Sequence, residues 1–276
     1  MATPTNVNPS AEERTVDVVV IGAGASGLMA ARTLKKAGKS VCVLEARNRV
    51  GGRTWNGKVL DSQGTEHFIE IGGQWISPDQ TRLTELVDEL GLETFQRYRE
   101  GKSVYVSPDG TRHEFEGDTF PTSEETISEM NRLIAELNQL AVEVDANAPW
   151  EHPRAKELDS LSFRDWLEGL SDDAEAINNI SLYISSGMLT KPSRTFSVLQ
   201  AALMASSAGS FDNLVDEDFL LDKRVTGGMQ SVSITMAEEL GDDVILGSPV
   251  RTLQWATPDP DTADAPNKIN AVSYTH

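Results

Sequence analysis

The feature that most constrains this chain is a glycine hexapeptide, Gly22-Ala23-Gly24-Ala25-Ser26-Gly27, set between an apolar run and a helix-forming run. Residues 16–21 have the pattern of a strand buried on both faces in a parallel sheet. Residues 28–37 are helix formers closed by Gly38, a C-cap signal, and residues 40–45 read as a second buried strand. Strand, glycine turn, helix and strand in that order make a βαβ unit, whose crossover is right-handed. In such a unit one glycine permits the tight turn, the next admits a pyrophosphate, and the third lets the helix pack closely. The helix N-terminus then offers amide donors and the positive end of its dipole to phosphate. A hexapeptide of this kind also occurs as a purely structural turn. Its flanking elements favour the dinucleotide reading, as does Glu45, 18 residues after Gly27 at the end of the second strand. A carboxylate there is expected to hold a ribose hydroxyl pair.

A second motif follows at once. Glu45-Ala46-Arg47-Asn48-Arg49-Val50-Gly51-Gly52-Arg53 places two adjacent glycines before an arginine. Backbone and guanidinium can then approach another side of a pyrophosphate, with a bidentate geometry that lysine lacks. A solvated basic loop would explain the charge but not the glycine pair. The charge itself is unevenly placed. The chain carries 24 Lys+Arg against 43 Asp+Glu, a net −19, yet residues 14–53 hold eight basic and two acidic residues. The acidic total argues against nucleic acid and against docking on an anionic membrane. The basic opening asks for a local anionic ligand.

Other classes fall away on composition. No run approaches the roughly 18 apolar residues of a membrane helix. Residues 1–13 are polar and proline-dotted, with no apolar signal segment, and read as a flexible tail. Cys42 is the only cysteine, which excludes intrachain disulfides and a cysteine metal cluster and suits a reducing cytoplasm. His67, His113, His152 and His276 are scattered without an i, i+4 pair, so no metal is expected.

Further along, residues 79–90 read as an amphipathic helix ended by Gly91, and 103–107 with 112–116 as a hairpin around a Pro-Asp-Gly turn. Thr122 and Glu125 have capping-box spacing before a long helix. Residues 162–170, 172–188 and 196–210 read as further helices. Residues 231–240 read as a helix, and 244–246, 250–255 and 269–274 as strands. The expected fold is therefore α/β. A Rossmann-like dinucleotide domain (14–94 and 226–276, parallel sheet) carries an inserted, mostly helical substrate domain (95–225).

These motifs resemble the flavin-containing amine oxidase family. The stretch VIGAGASGLMAARTLKKAGKSVCVLEARNRVGGRT looks like its N-terminal FAD signature, and Glu70-Ile71-Gly72-Gly73-Gln74-Trp75 like the next element, beside the flavin. Lys223-Arg224-Val225-Thr226-Gly227-Gly228-Met229-Gln230 resembles the return to the FAD domain. Val250, after Ser248-Pro249, matches a residue whose backbone meets the adenine. The stretches WISPDQT, RYREGKSVYVS, SSGMLTKP and SAGSFDNLVDEDF look like members that oxidise diamines. The resemblance implies an FAD site formed by Gly22, Gly24, Ala25, Ser26, Gly27, Glu45, Ala46, Arg47, Gly51, Gly52, Arg53, Gly72, Gly73, Gln74, Trp75 and Val250.

It also implies a reaction: oxidative deamination of putrescine or a similar diamine to the aminoaldehyde, with O2 reduced to H2O2. Within Asp216-Glu217-Asp218, Glu217 is the expected anchor for the distal ammonium, against the plain alternative of a solvated acidic loop. An L-amino-acid oxidase would usually place an arginine near Gly73-Gln74-Trp75 to catch the substrate carboxylate, and none stands there. A monoamine oxidase, or a catalytically inactive FAD-binding fragment, are the other readings. Family members run to roughly 450 residues, so the chain reads as the N-terminal part of one. The family's catalytic lysine and aromatic pair are then expected beyond residue 276, with the other half supplied in cis or as a second chain, and a homodimer as the assembly.

Overall fold

The computed structural model describes residues 13–117, 119–216, 219, 221–255 and 269–273. The chain divides into two compact units. Unit 1 comprises Met1–Trp75, Thr81–Phe95 and Arg224–His276; unit 2 comprises Ile76–Gln80 and Gln96–Lys223.

Unit 1 opens with the βαβ motif: β1 (Val18–Ile21), α1 (Ala25–Lys36) and β2 (Val41–Leu44). β1 and β2 pair in parallel, with Val18 opposite Val41 and Ile21 opposite Leu44. Val41, Cys42 and Val43 are buried, so the lone cysteine is a core residue. The helix starts earlier than the apolar periodicity predicts, because Gly24 takes the N-cap position in extended conformation (φ −75°, ψ 172°). Ala25, Ser26 and Gly27 therefore form the first turn of α1 and not a loop ahead of it.

Next comes an antiparallel hairpin, β3 (Asn56–Leu60) and β4 (Glu66–Glu70), with Asn56 opposite Glu70. Its turn is closed by the Asp61 carboxylate, which accepts from the amides of Gln63 and Thr65, and by Gly64 in the left-handed region. The strands β5 (Trp75–Ile76) and β6 (Thr94–Gln96) bracket α2 (Thr81–Glu89), two residues shorter at its start than expected.

Unit 2 begins with the expected hairpin, β7 (Ser103–Val106) and β8 (Arg112–Phe115). The long helix α3 (Glu124–Glu143) follows. Its N-cap is Ser123, whose hydroxyl accepts from Thr126 N–H, and not Thr122, whose own hydroxyl is buried without a partner. α4 (Ala155–Ser160), α5 (Phe163–Leu170), α6 (Ala174–Leu182), α7 (Val198–Ser207) and α8 (Phe211–Val215) complete it. The helix expected over 172–188 divides in two. α6 runs on as a π-helix, Tyr183–Leu189, which ends at Thr190 in the left-handed region. The core of the unit is apolar and fully enclosed around Leu133, Leu137, Phe163, Ile180 and Phe211.

The chain returns to unit 1 on β9 (Lys223–Val225) and α9 (Gln230–Leu240), which packs against α1. β10 (Val244–Ile245) then joins β2 in parallel, giving the sheet order β1–β2–β10. This is the Rossmann-like parallel sheet expected from the sequence. β11 (Val250–Trp255) and β12 (Ile269–Ser273) leave that sheet and pair antiparallel with each other. Among the described residues no helix is long and apolar enough to cross a membrane.

Candidate functional site

The glycine hexapeptide is shaped by sterics that exclude side chains. Gly22 has φ +99°, and a Cβ on Gly27 would lie 2.0 Å from the Gly22 carbonyl oxygen. Only glycine at 27 lets the first turn of α1 pass that carbonyl. Gly24 offers no side chain to cap α1, so the first-turn amides lack an internal acceptor. Ala25 and Ser26 are exposed there. A turn of free amides at the positive end of a helix dipole is an anion cradle.

The second motif lies directly on the first. Gly51 N–H donates to Ala23 O (2.8 Å), and a Cβ on Gly52 would stand 3.3 Å from the Cα of Gly24. Gly51 and Gly52 both have positive φ, +98° and +57°. Glu45 is buried and spans the two motifs. One carboxylate oxygen accepts from Ala23 N–H (2.8 Å) and the other from Arg47 N–H (2.9 Å). Each oxygen keeps a further lone pair for a hydroxyl donor. Glu45 thus holds the loop in shape as well as standing where a ribose carboxylate is expected.

The three arginines of this segment divide by their bonds. Arg49 is committed to the fold: its Nη1 and Nη2 donate to Val50 O (3.2 Å) and Gly52 O (3.1 Å), and its guanidinium sits 4.8 Å from the Trp55 ring centroid. Arg47 and Arg53 are exposed, and among the described residues their guanidinium groups have no ion-pair partner. Two uncommitted cations beside an amide cradle fit a diphosphate. Sterics, free donors and charge agree, so the residues present fit a dinucleotide.

The third motif abuts the second. Gly73 N–H donates to Arg53 O (3.2 Å), and a Cβ on Gly72 would fall 1.9 Å from that same oxygen. Gln74 and Trp75 are half-buried. Arg224 lies 5.2 Å from the Trp75 ring centroid and 5.7 Å from that of Phe95. It is neutralised by buried Glu70, which accepts from Arg224 Nε (2.9 Å) and Nη2 and from Met229 N–H (2.7 Å). Val250 is tied in through the preceding loop, where Gly247 N–H donates to Arg47 O (2.8 Å) and Ser248 N–H to Glu45 O (2.7 Å).

The structure therefore brings Gly22, Gly24, Gly27, Glu45, Ala46, Arg47, Gly51, Gly52, Arg53, Gly72 and Gly73 onto adjoining turns of unit 1, with Val250 two residues beyond Ser248. Glu217 and Asp218 lie outside the described residues. Two contributors carry no role in the sequence reading: Arg224, which holds Trp75, and Gln230, whose side chain bonds to Asn56 N–H and to Val50 O. Both stand in the quoted motif, but their partners are distant in sequence.

A profile described as flavin containing amine oxidoreductase matches residues 25–270. The chain is 64% identical over 241 residues to putrescine oxidase of Kocuria rosea, covering 87% of this chain and 49% of that protein. It is 32% identical over 246 residues to the flavin-containing amine oxidase A of Canis lupus familiaris, covering 87% and 45%. A solved structure of wild-type putrescine oxidase bound to putrescine superposes with a TM-score of 0.83 at 56% identity, covering 94% of this chain and 56% of that one. Cyclohexylamine oxidase from Brevibacterium oxydans gives 0.76 at 30% identity, covering 85% and 51%. The chain thus spans about half the length of the relatives it matches. Glycine turns that exclude Cβ atoms, a buried carboxylate between them, and a profile match over residues 25–270 lead to one conclusion: this chain belongs to the flavin-containing amine oxidoreductase family.

Proposed function

We propose that this chain is the FAD-binding and amine-recognising portion of an amine oxidase acting on putrescine or a similar diamine, yielding the aminoaldehyde with O2 reduced to H2O2. The observation that carries the reading is the cradle in which Gly52 and Gly24 touch, with Arg47 and Arg53 uncommitted beside it. The identity to a putrescine oxidase supports the choice of substrate.

In this reading the amides of Ala25, Ser26 and Gly27, the Gly51-Gly52 turn and the two free arginines take the pyrophosphate. Glu45 takes the ribose hydroxyls with the lone pairs its loop amides leave over, and Val250 meets the adenine. Gly72, Gly73, Gln74 and Trp75 form the wall beside the isoalloxazine. When bound, FAD supplies the two-electron acceptor that takes a hydride equivalent from the amine α-carbon and returns the electrons to O2. The protein's own part in the amine chemistry is selection. One ammonium must lose its proton to react, whereas the other stays charged and needs a carboxylate a chain-length away. Glu217 is assigned that role. Trp75 is held by Arg224 and Glu70, so its ring is a fixed wall.

Because the chain spans about half of its relatives' length, the complete reaction is assigned to an assembly containing the equivalent of their remaining half, in cis or as a second chain. A homodimer in a reducing cytoplasm is the setting in which we place it, with buried Cys42 kept as a thiol. The test is direct. The protein, co-produced with that second half, should carry a flavin spectrum and release peroxide on adding putrescine; a colourless, inactive assembly overturns the reading. In that assembly Glu217→Gln should raise the putrescine KM roughly a hundredfold while changing that of a monoamine little, as expected for losing a charge-assisted bond. Equal changes for both substrates remove Glu217 from the site.

A further inference from the structure

Gln230 is the first residue of α9 and is 6% exposed. Its side-chain amide is used at both ends. Oε1 accepts from Asn56 N–H (2.7 Å), and Nε2 donates to Val50 O (2.7 Å). These two backbone groups bracket residues 51–55, the turn that carries Gly51, Gly52 and Arg53. The turn is pressed onto the glutamine, since a Cβ on Gly51 would meet Gln230 Cγ at 2.9 Å and Thr54 O at 2.6 Å. On its other side the same turn meets the phosphate loop, through Gly51 N–H to Ala23 O and through Gly52 against Gly24.

The start of α9 is itself fixed. Buried Glu70 accepts from Met229 N–H (2.7 Å), and Asn56 Nδ2 donates to Gly227 O (2.8 Å). Gln230 therefore cannot slide to follow the turn; the turn must follow it. A residue acting only as core filler would need volume and no hydrogen bonds. An apolar side chain of similar volume would leave both Val50 O and Asn56 N–H buried and unpaired, whereas one amide supplies a donor and an acceptor at once.

We propose that Gln230 is a positioning residue for the dinucleotide cradle: it sets residues 50–56, and with them Gly52 and Arg53, against the phosphate loop, and so governs cofactor affinity. The proposal rests on the FAD reading for what the cradle holds. It concerns a side chain engaged with protein backbone at both ends.

The experiment compares the parent chain with Gln230→Leu and Gln230→Glu, using Arg32→Met, which removes ion pairs to Glu89 and Glu239, as a control for general loss of stability. FAD is titrated by flavin fluorescence, and hydrogen exchange is followed in peptides covering residues 46–57. Gln230→Leu should weaken FAD binding at least about tenfold and speed exchange over 50–56, because two buried groups lose their partners. Gln230→Glu keeps the acceptor for Asn56 N–H, so that amide should stay protected while Gly51 loosens. Arg32→Met should lower the melting temperature yet leave FAD affinity within about twofold. FAD affinity within about twofold of the parent in Gln230→Leu overturns the proposal. Should the parent itself bind no FAD, the cofactor reading fails instead, and exchange decides: unchanged rates over 50–56 overturn the positioning role, and faster rates uphold it. If Gln230→Leu does not fold, Gln230→Glu carries the same two readouts.

Discussion

The two units of this chain are built from different materials. Unit 1 carries a net charge of −5 and builds its site from backbone: glycine turns, helix-start amides, and loop amides and a carbonyl bonded by the side chains of Glu45 and Gln230. Unit 2 holds 11 Lys+Arg against 25 Asp+Glu, a net −14 in a similar number of residues, and is built of helices around an apolar core. A diphosphate looks much the same in every nucleotide, so a rigid backbone cradle serves it and tolerates little change. In the function proposed above, an amine substrate would differ from its competitors by chain length and charge, so side chains would have to discriminate it. The −14 field of unit 2 would also raise the local concentration of a dication, an attraction that added salt weakens.

Substitutions that break this contrast should separate cofactor binding from stability. The largest effect is expected at Gly27→Ala, where the new methyl would sit 2.0 Å from a backbone carbonyl. No side chain can yield there, so the turn must open. FAD binding should be lost beyond detection by fluorescence titration, whereas retained binding would show that the cradle is not the site. Phe211→Ala in unit 2 empties a fully buried position. It should destabilise the protein by about 3–5 kcal/mol in urea unfolding. The same variant should leave FAD affinity within about twofold, and a large affinity loss would couple the two units where the contrast separates them.

The smallest effect concerns acid. In unit 1, the Lys36 ammonium and then the Arg32 guanidinium hold the Glu89 carboxyl at about 2, joining α1 to α2, while Arg32 also pairs with Glu239 on α9. In unit 2, Arg132 holds Glu129 at about 2 within one helix, three residues apart. A carboxyl lowered on folding stabilises the native state above its unfolded value near 4.5 and loses that contribution as pH falls toward 2. Unfolding followed from pH 6 to pH 3 should thus show an acid loss. Glu89→Gln and Glu129→Gln should each reduce the slope, and by a similar amount, since both carboxyls are lowered from 4.5 to about 2. A slope unchanged by Glu89→Gln would mean that its pairs with Lys36 and Arg32 do not hold in the native state.

What the sequence made legible was whatever repeats locally. The turn at Gly22-Gly27, the strand pair around it and the Gly51-Gly52-Arg53 segment are each short-range patterns, and the structure places them on adjoining turns. The hairpin β3–β4 escaped because residues 56–60 and 66–70 mix apolar and charged side chains without clean alternation, though Asp61 and Gly64 marked its turn. Ser123, one residue after the expected cap, shows how little separates two adjacent hydroxyls until the helix axis is known. The π-helix at Tyr183–Leu189 has the composition of an ordinary helix, and its one extra residue per turn leaves no periodic trace over seven residues. Gln230 was unreadable for a different reason: its partners are 174 and 180 residues away.

The peptide unit of Ala23 has a consequence of its own. Its N–H is given to Glu45 and its C=O receives Gly51, so one fully buried residue is shared by two turns that are far apart along the chain. Neither turn can fluctuate open without releasing the other. Residues 22–27 and 45–53 should then form one cooperative opening unit, a single foldon. A ligand that stabilises either turn raises the opening cost of both, so the cradle answers a nucleotide as a switch closed in one step rather than as a loop that gradually stiffens.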